Sequence, residues 1–285
     1  MPIKDSFTLS KLQMRALETL CYVIGAGAFG VFIRWLQNTA GTTEEKLYNS
    51  TLWTFLVPLV IIIGAMVFIG MVRGLGKARL YVDEDVCEAL KNTGKLYAAI
   101  RIFIGVLMAG GSALLITQCE LDRAAMLLRI EGLMGIVIGV TFPIMMKWYN
   151  DPDRKVGLMY LFSILPVFLF CVWLIGNYKQ NDINGVVWQY AVEILAACAA
   201  ICAFFRAAGF SFYSAKPQRV LFSSFFAAFM LIIALADERY MGQQVMLIAS
   251  AAMLLYYDWV LIVNMKEKER PVSYQPRDGF DHLHT

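Results

Sequence analysis

Charged residues are scarce in this sequence, where they make up 16% of 285 residues, whereas 59% of the residues are hydrophobic. The mean hydropathy is +0.60. A water-soluble domain of this size needs more polar residues than this to cover its surface. The composition therefore excludes an ordinary soluble protein and indicates a chain that lies in a membrane.

Residues and motifs that carry common chemistry are also scarce. The only two histidines, His282 and His284, lie near the C-terminus, and the six cysteines form no CxxC pair. No HExxH, GxSxG or P-loop pattern occurs. We therefore predict no metal site, no cofactor and no nucleic-acid partner, and we interpret most of the cysteines as buried packing residues.

Long hydrophobic runs recur along the chain, each near the roughly 20 residues that a helix needs to cross a hydrocarbon core of about 30 Å. A segment in lipid must satisfy its own backbone, so these runs are expected to be helices. The predicted fold is an all-α polytopic membrane protein with eight spans: 14–36, 51–72, 96–117, 124–146, 156–176, 186–205, 220–236 and 243–263. They form a single transmembrane domain over residues 1–265, and a polar cytoplasmic tail follows over 266–285.

Lys and Arg alternate in number along the segments outside the predicted spans, where Arg15, at the start of the first span, is counted with the N-terminal segment. Every other segment holds three to five of them, and the intervening segments hold one each. The richer segments contain Lys4, Lys11 and Arg15; Arg73, Lys77, Arg79, Lys91 and Lys95; Lys147, Arg154 and Lys155; Arg206, Lys216 and Arg219; and Lys266, Lys268, Arg270 and Arg277. Because cytoplasmic loops carry the excess of basic residues, this pattern predicts that both termini are cytoplasmic. The expected location is a membrane, and the cell membrane if the protein is bacterial.

A weak internal repeat divides the predicted spans into two groups of four. Its landmarks are interfacial tryptophans and helix ends with glycine: Trp35, Trp53, Trp173, Trp188, Arg73-Gly74-Leu75-Gly76 and Arg206-Ala207-Ala208-Gly209. Two such halves would be parallel, with a site between them, as in some transporters. Residues typical of membrane interfaces also match by chance, so the repeat and chance similarity both remain open.

Small residues one helical turn apart predict close helix packing. They occur at Ala26 with Gly30, at Gly70 with Gly74, at Gly135 with Gly139, and in the alanine-rich run 196–203. Prolines interrupt three predicted spans, at Pro58, Pro143 and Pro166. A proline leaves a backbone carbonyl without its helical partner, so each kink is either structural or lines a cavity.

Ionisable residues within spans are energetically expensive, and they mark either function or pairing between helices. From a rise of 1.5 Å per residue, Glu193 and Arg34 are expected in an outer layer, and Asp258 and Arg101 in an inner layer. A carboxylate removed from water is able to exchange a proton near physiological pH. Glu193 and Asp258 are therefore candidate proton or cation sites.

The candidate pathway for a ligand or proton consists of these carboxylates and the polar residues near them: Glu193, Asp258, Arg101, Arg34, Gln189 and Tyr257. The alternative is structural, with Glu193 paired to Arg34 or Arg129 and Asp258 paired to Arg101. Four side chains are also candidates to extend to the lipid headgroups: Arg34, Arg129, Glu131 and Glu18.

Three functions fit these patterns. The first is a transporter for a small solute or ion, coupled to protons through the carboxylates within the spans. The second is a membrane sensor or accessory subunit that binds a membrane or cytoplasmic protein without transport. The third is a lipid-modifying enzyme, which ranks last because the sequence shows no catalytic cluster. The expected partners are therefore the lipid bilayer with a small solute, ion or proton, or a second protein.

Overall fold

The computed structural model describes residues 11–40, 51–77, 80–81, 89–119, 125–151, 156–181, 190–212 and 216–267. These parts of the chain form eight long helices: α1 (Lys11–Ala40), α2 (Thr51–Lys77), α3 (Lys95–Gln118), α4 (Ala125–Trp148), α5 (Val156–Asn181), α6 (Ala191–Ala208), α7 (Pro217–Ile233) and α8 (Met241–Val263). A 3-10 turn, Ala234–Ala236, follows α7. Two short strands, β1 (Leu80–Tyr81) and β2 (Lys266–Glu267), pair antiparallel.

All eight helices are long and apolar enough to cross a membrane. The predicted number of helices is therefore confirmed for the described chain, and the fold is that of an integral membrane protein. The helices continue through the prolines at positions 58, 143 and 166. Each proline is accommodated inside a helix because neighbouring helices and side chains can take up the freed backbone group.

Helix α8 lies at the centre of the bundle. It packs against α1, α3 and α7, and it is the most buried of the eight helices. Helices α3 to α7 follow one another around it, because each of them packs against the next in sequence. Helix α2 is the least buried, since it packs only on α1 and α7 at the edge of the bundle.

Contacts between the helix connections define two ends of the bundle. The terminal end is where α1 begins and α8 ends, and there Leu80 pairs with Glu267 and the Asn92 backbone N–H donates to Asn150 Oδ1 at 2.8 Å. At the opposite end, the backbone N–H of Gly242 donates to Gln118 Oε1 at 3.0 Å. Successive helices therefore run in alternating directions between these ends.

Glycines allow α3 to approach both α4 and α8 closely. A methyl group on Gly139 of α4 would lie 2.6 Å from the carbonyl oxygen of Gly105, and one on Gly242 of α8 would lie 2.7 Å from that of Gly111. Real side chains do not tolerate such distances to backbone atoms, so these positions require glycine. The predicted close packing near Gly139 is therefore present.

Two interpretations from the sequence are wrong. Around Gly70 and Gly74 no described residue lies within 4 Å of an added methyl group, because α2 lies at the edge of the bundle. Cys21, Cys198 and Cys202 are exposed rather than buried. The alanines of α6 face the core instead, and the two cysteines of that helix occupy its outer face.

Candidate functional site

Arg34 pairs with an aspartate beyond α7, at the opposite end of the bundle. Its side chain is 2% exposed, and its Nε donates to Asp237 Oδ1 at 2.8 Å. Its Nη1 donates to Gln37 Oε1 at 2.6 Å. Asn38 Nδ2 donates to the same Asp237 oxygen at 3.3 Å. Arg34 therefore links α1 to the connection between α7 and α8. The expectation that its side chain extends to the headgroups is wrong.

Arg239 extends this pairing towards α6. Its Nη2 lies 3.6 Å from Asp237 Oδ2, and its Nη1 lies 3.0 Å from Glu193 Oε1. Trp173 Nε1 donates to the same Glu193 oxygen at 2.7 Å. Arg34, Asp237, Arg239 and Glu193 thus alternate in charge, and we refer to these four residues as the paired network. It joins α1, the α7–α8 connection and α6, and Trp173 adds α5.

Glu131 of α4 lies beside this network. Its side chain is completely buried, so the expectation that it extends to the headgroups is wrong. Oε2 accepts a hydrogen bond from Gln243 Nε2 at 3.3 Å. Oε1 has no hydrogen-bond partner among the described residues, and it faces Gly176, where an added methyl group would lie 2.7 Å away. Glu131 and Glu193 are close enough to interact electrostatically.

Asp258 of α8 has a different environment, in the half of the bundle nearer the terminal end. It is 0% exposed, and neither of its carboxylate oxygens has a hydrogen-bond partner among the described residues. The Ser224 hydroxyl of α7 is close enough to interact with the carboxyl group of Asp258. However, the Ser224 hydroxyl donates to the Val220 carbonyl at 2.9 Å. None of the ion pairs in the described chain includes Asp258.

Both ion pairs expected from the sequence are wrong. Glu193 pairs with Arg239 rather than with Arg34 or Arg129, because the α7–α8 connection turns Arg239 back into the bundle. Arg101 does not reach Asp258, since its Nη1 donates to Asn92 Oδ1 at 3.0 Å. That asparagine lies on the connection before α3, so Arg101 is held near the terminal end.

The remaining predicted site residues are placed as follows. The Tyr257 hydroxyl is buried 4.0 Å from Met145 Sδ, and the Tyr256 hydroxyl donates to the Tyr97 carbonyl at 3.4 Å. Gln189 lies outside the described residues. Arg34 and Glu193 therefore belong to one network, whereas Arg101 and Asp258 remain separate. A role for these residues in a pathway stays a prediction.

Sequence reasoning missed Asp237 and Arg239 as partners of the buried charges. Both lie in a short connection, Asp237-Glu238-Arg239-Tyr240, which is one of the segments that hold a single basic residue. One signal was present. A connection this short between two apolar helices keeps its charges close to the helix ends, where they can turn inward.

The described cavities avoid both predicted carboxylates. A cavity of about 10 Å³ lies between α4, α5, α6 and α8, and its lining includes Thr141, Ser163 and Tyr257. That volume corresponds to about one water molecule. A pocket of about 460 Å³ opens between α5, α6 and α7, and one of about 300 Å³ opens between α1 and α2. Neither Glu193 nor Asp258 lines any of these three.

Metal ligands are not grouped in the parts of the chain that the structure describes. No set of three or more His, Cys, Asp and Glu side chains there is arranged to hold a metal ion. His282 and His284 lie outside those parts.

Together, the eight apolar helices and their buried charges define a multi-pass integral membrane protein. No protein-family model, curated protein or solved structure matches the chain. Any more specific function must therefore be argued from the site itself.

Proposed function

We propose that the protein is a transporter of a small solute or ion that is coupled to protons through Asp258. The observation that supports this proposal is a completely buried carboxyl group with no cation and no hydrogen-bond partner in the described chain. An uncompensated charge in such a place costs several kcal/mol. The closed arrangement is thus compatible with a protonated Asp258, and release of the proton requires that water reach it.

This coupling ties proton exchange to a change in helix packing. Asp258 lies on the central helix α8, so water reaches it only if α8 separates from a neighbour such as α7, which carries Ser224. A solute whose binding favours that opening would then move together with a proton. Such an arrangement follows the general rule that a ligand shifts an equilibrium only through its different affinities for two states.

The proposed solute site is the small cavity beside Tyr257. Thr141, Ser163 and Tyr257 contribute hydroxyl groups to its lining. Pro166 also lines it, and because proline has no N–H, the carbonyl of Phe162 loses its usual helical partner there. The closed cavity is too small for a solute, so α4, α5 and α6 would move away from α8 when a solute enters.

The orientation that we propose has both termini in the cytoplasm, as the alternation of basic residues indicates. The terminal end is then the cytoplasmic end, and residues 1–265 form one transmembrane domain that is followed by the tail. The repeat of four helices stays a prediction. Helix α2 packs on α7 and has no comparable packing on α3. The first four helices therefore do not form a separate group.

The second candidate is a sensor or accessory subunit. It is favoured by the paired network, in which Glu193 already has Arg239 and Trp173 as partners. A carboxylate with both a cation and a hydrogen-bond donor is suited to hold helices in register. A lipid-modifying enzyme ranks third.

The test is a flux assay with the full-length protein in liposomes that carry a pH gradient and an internal pH-sensitive dye. Inorganic cations, inorganic anions, amino acids and sugars are added separately. We expect one class to collapse the gradient, and we expect Asp258→Asn to abolish this effect because the amide cannot exchange the proton. Glu18→Gln, which changes an exposed carboxylate on α1, is the matched control and should retain flux.

Two results would contradict the proposal. One is a wild-type protein that behaves like empty liposomes for every solute class. The other is full proton-coupled flux in the Asp258→Asn variant. Binding of a membrane or cytoplasmic protein without any flux would favour the sensor or accessory subunit.

A further inference from the structure

The larger pocket at the terminal end has a basic rim and apolar walls. Arg206, Lys216 and Arg219 contribute its charged groups, and Phe205 and Phe212 contribute to its walls. None of the described residues that line it is acidic. Its volume of about 460 Å³ lies within the range of roughly 300–1,000 Å³ that is usual for small-molecule sites.

The three cations are available to a ligand. All three are exposed, and the ion pairs of the described chain involve only Arg34 and Arg239 as cations. Arg206 Nη1 donates to the Arg219 carbonyl at 3.4 Å, which holds this guanidinium at the pocket. A guanidinium has five N–H donors, and this is the one described hydrogen bond that Arg206 makes, so further donors can reach an anion.

The backbone adds to this positive charge. Helix α7 begins at Pro217, directly after Lys216, so its N-terminus lies at the pocket. The N-terminal end of a helix carries a partial positive charge, which favours an anion. The charge is the contribution here, because Pro217 has no N–H and the N–H groups of Arg219 and Val220 donate to the Lys216 carbonyl.

The walls indicate what kind of anion fits. Phe205 is 63% exposed and Phe212 is 44% exposed, so both rings face the surroundings of the bundle rather than its core. The pocket also lies at the terminal end of helices long enough to cross a membrane, and the ends of such helices are expected near the lipid headgroups. A ligand that satisfies both the cations and the exposed rings needs an anionic head and a hydrocarbon chain.

We propose that this pocket binds the phosphate headgroup of an anionic phospholipid, with Arg206, Lys216 and Arg219 around the phosphate. An acyl chain then lies along Phe205 and Phe212. Basic pockets between transmembrane helices are suited to such headgroups because each cation near the surface adds attraction to the phosphate. The site is separate from Asp258, so it stands or falls independently of the proposed transport.

The experiment measures lipid binding to the purified full-length protein in an uncharged detergent, by native mass spectrometry. The probes are phosphatidylglycerol and phosphatidylcholine with identical acyl chains, and glycerol phosphate without chains. The test variant combines Arg206→Gln, Lys216→Gln and Arg219→Gln. The matched control combines Arg73→Gln, Lys95→Gln and Lys147→Gln, which remove three exposed cations outside the pocket.

We expect the wild type and the control to bind phosphatidylglycerol more tightly than phosphatidylcholine. The pocket variant should lose this preference, with affinity for phosphatidylglycerol reduced by roughly a hundredfold if each charge contributes about fivefold. Equal phosphatidylglycerol binding by the pocket variant and the wild type would overturn the proposal. Glycerol phosphate that binds as tightly as the lipid would also overturn it, in favour of a soluble phosphate compound.

A second measurement needs no variant, in case the triple substitution prevents folding. Raising the salt concentration should weaken phosphatidylglycerol binding to the wild type and leave phosphatidylcholine binding unchanged, because salt screens exposed charges. Phosphatidylglycerol binding that does not respond to salt would contradict a site built on these cations.

Discussion

The two carboxylates within predicted spans, Glu193 and Asp258, have opposite surroundings: the Glu193 side chain is 15% exposed and paired, whereas Asp258 is completely buried. Glu193 has Arg239 at 3.0 Å and the Trp173 N–H at 2.7 Å. Asp258 has no cation and no hydrogen-bond partner among the described residues. A paired carboxylate holds helices together, whereas an unpaired one is costly to retain, and such residues in a membrane mark function by default.

The two regions also differ in what holds the helices. The paired network at the opposite end joins segments through charge. In the interface of α3 with α4 and α8, the backbones approach closely at glycines such as Gly105 and Gly139. Within lipid, association of helices relies on such close packing and on polar contacts rather than on hydrophobic burial. Ion pairs therefore hold the helices at the opposite end, and close backbone packing holds α3 against α4 and α8.

Arg239→Met should have the largest effect, because it removes the cation shared by Glu193 and Asp237. Breaking a buried pair in this way leaves uncompensated charge and costs about 3–5 kcal/mol in the free energy of unfolding. Denaturant titration in mixed micelles measures this value. Arg129→Met, which removes an exposed arginine on α4, is the control. Equal stabilities of the two variants would show that the paired network contributes nothing to stability.

Glu193→Gln should have the next largest effect, since the amide keeps the shape of the side chain and loses its charge. A hydrogen bond to a charged group contributes about 1.5–3 kcal/mol, and we expect a destabilisation of that size. The same titration measures it. If the role of Glu193 is structural, the folded variant should retain full proton-coupled flux in liposomes. Complete loss of flux with unchanged stability would instead assign Glu193 to the pathway.

Gly139→Ala tests whether close backbone packing holds the region of α3 and α4. The added methyl group meets the Gly105 carbonyl and the Ala109 backbone, and such overpacking costs about 1–3 kcal/mol. Gly110→Ala is the matched control, because nothing lies within 4 Å of a methyl group there. We expect no loss of stability in the control. Similar thermal stability of both variants would contradict the tight contact.

Asp258→Asn should have the smallest effect on stability, less than about 1 kcal/mol, because no ion pair of the described chain is lost and the amide has the shape of the carboxyl group beside Ser224. Its effect should instead appear in flux. The pair Glu193→Gln and Asp258→Asn thereby separates the two carboxylates: the first changes stability and the second changes transport. If Asp258→Asn lowered the free energy of unfolding by several kcal/mol, Asp258 would have a stabilising partner. The contrast between the paired Glu193 and the unpaired Asp258 would then be wrong.

The sequence predicted the number and type of helices well for a simple reason. The thickness of the bilayer sets the length of each apolar run, and the absence of water makes each run helical. The site was less predictable. The depth of Arg34 and Glu193 follows from counting residues along a helix, but their partners depend on how each helix is rotated and which helices are neighbours.

Arg239 illustrates the limit most directly. By sequence it is the basic residue of a short connection between two spans, and nothing local distinguishes it from a solvated loop residue. Only the fold turns its guanidinium between Asp237 and Glu193. Likewise, depth along the helices predicted Arg101 as the partner of Asp258, but a hydrogen bond to Asn92 holds Arg101 elsewhere.

The sequence by itself therefore determined that the chain forms eight apolar helices, because helix length and hydropathy are local properties that the membrane constrains. Only the tertiary structure decided which buried charges are paired, that Asp258 is left without a partner among the described residues, and that α8 is central. These features depend on contacts between segments distant in sequence, which no local pattern encodes.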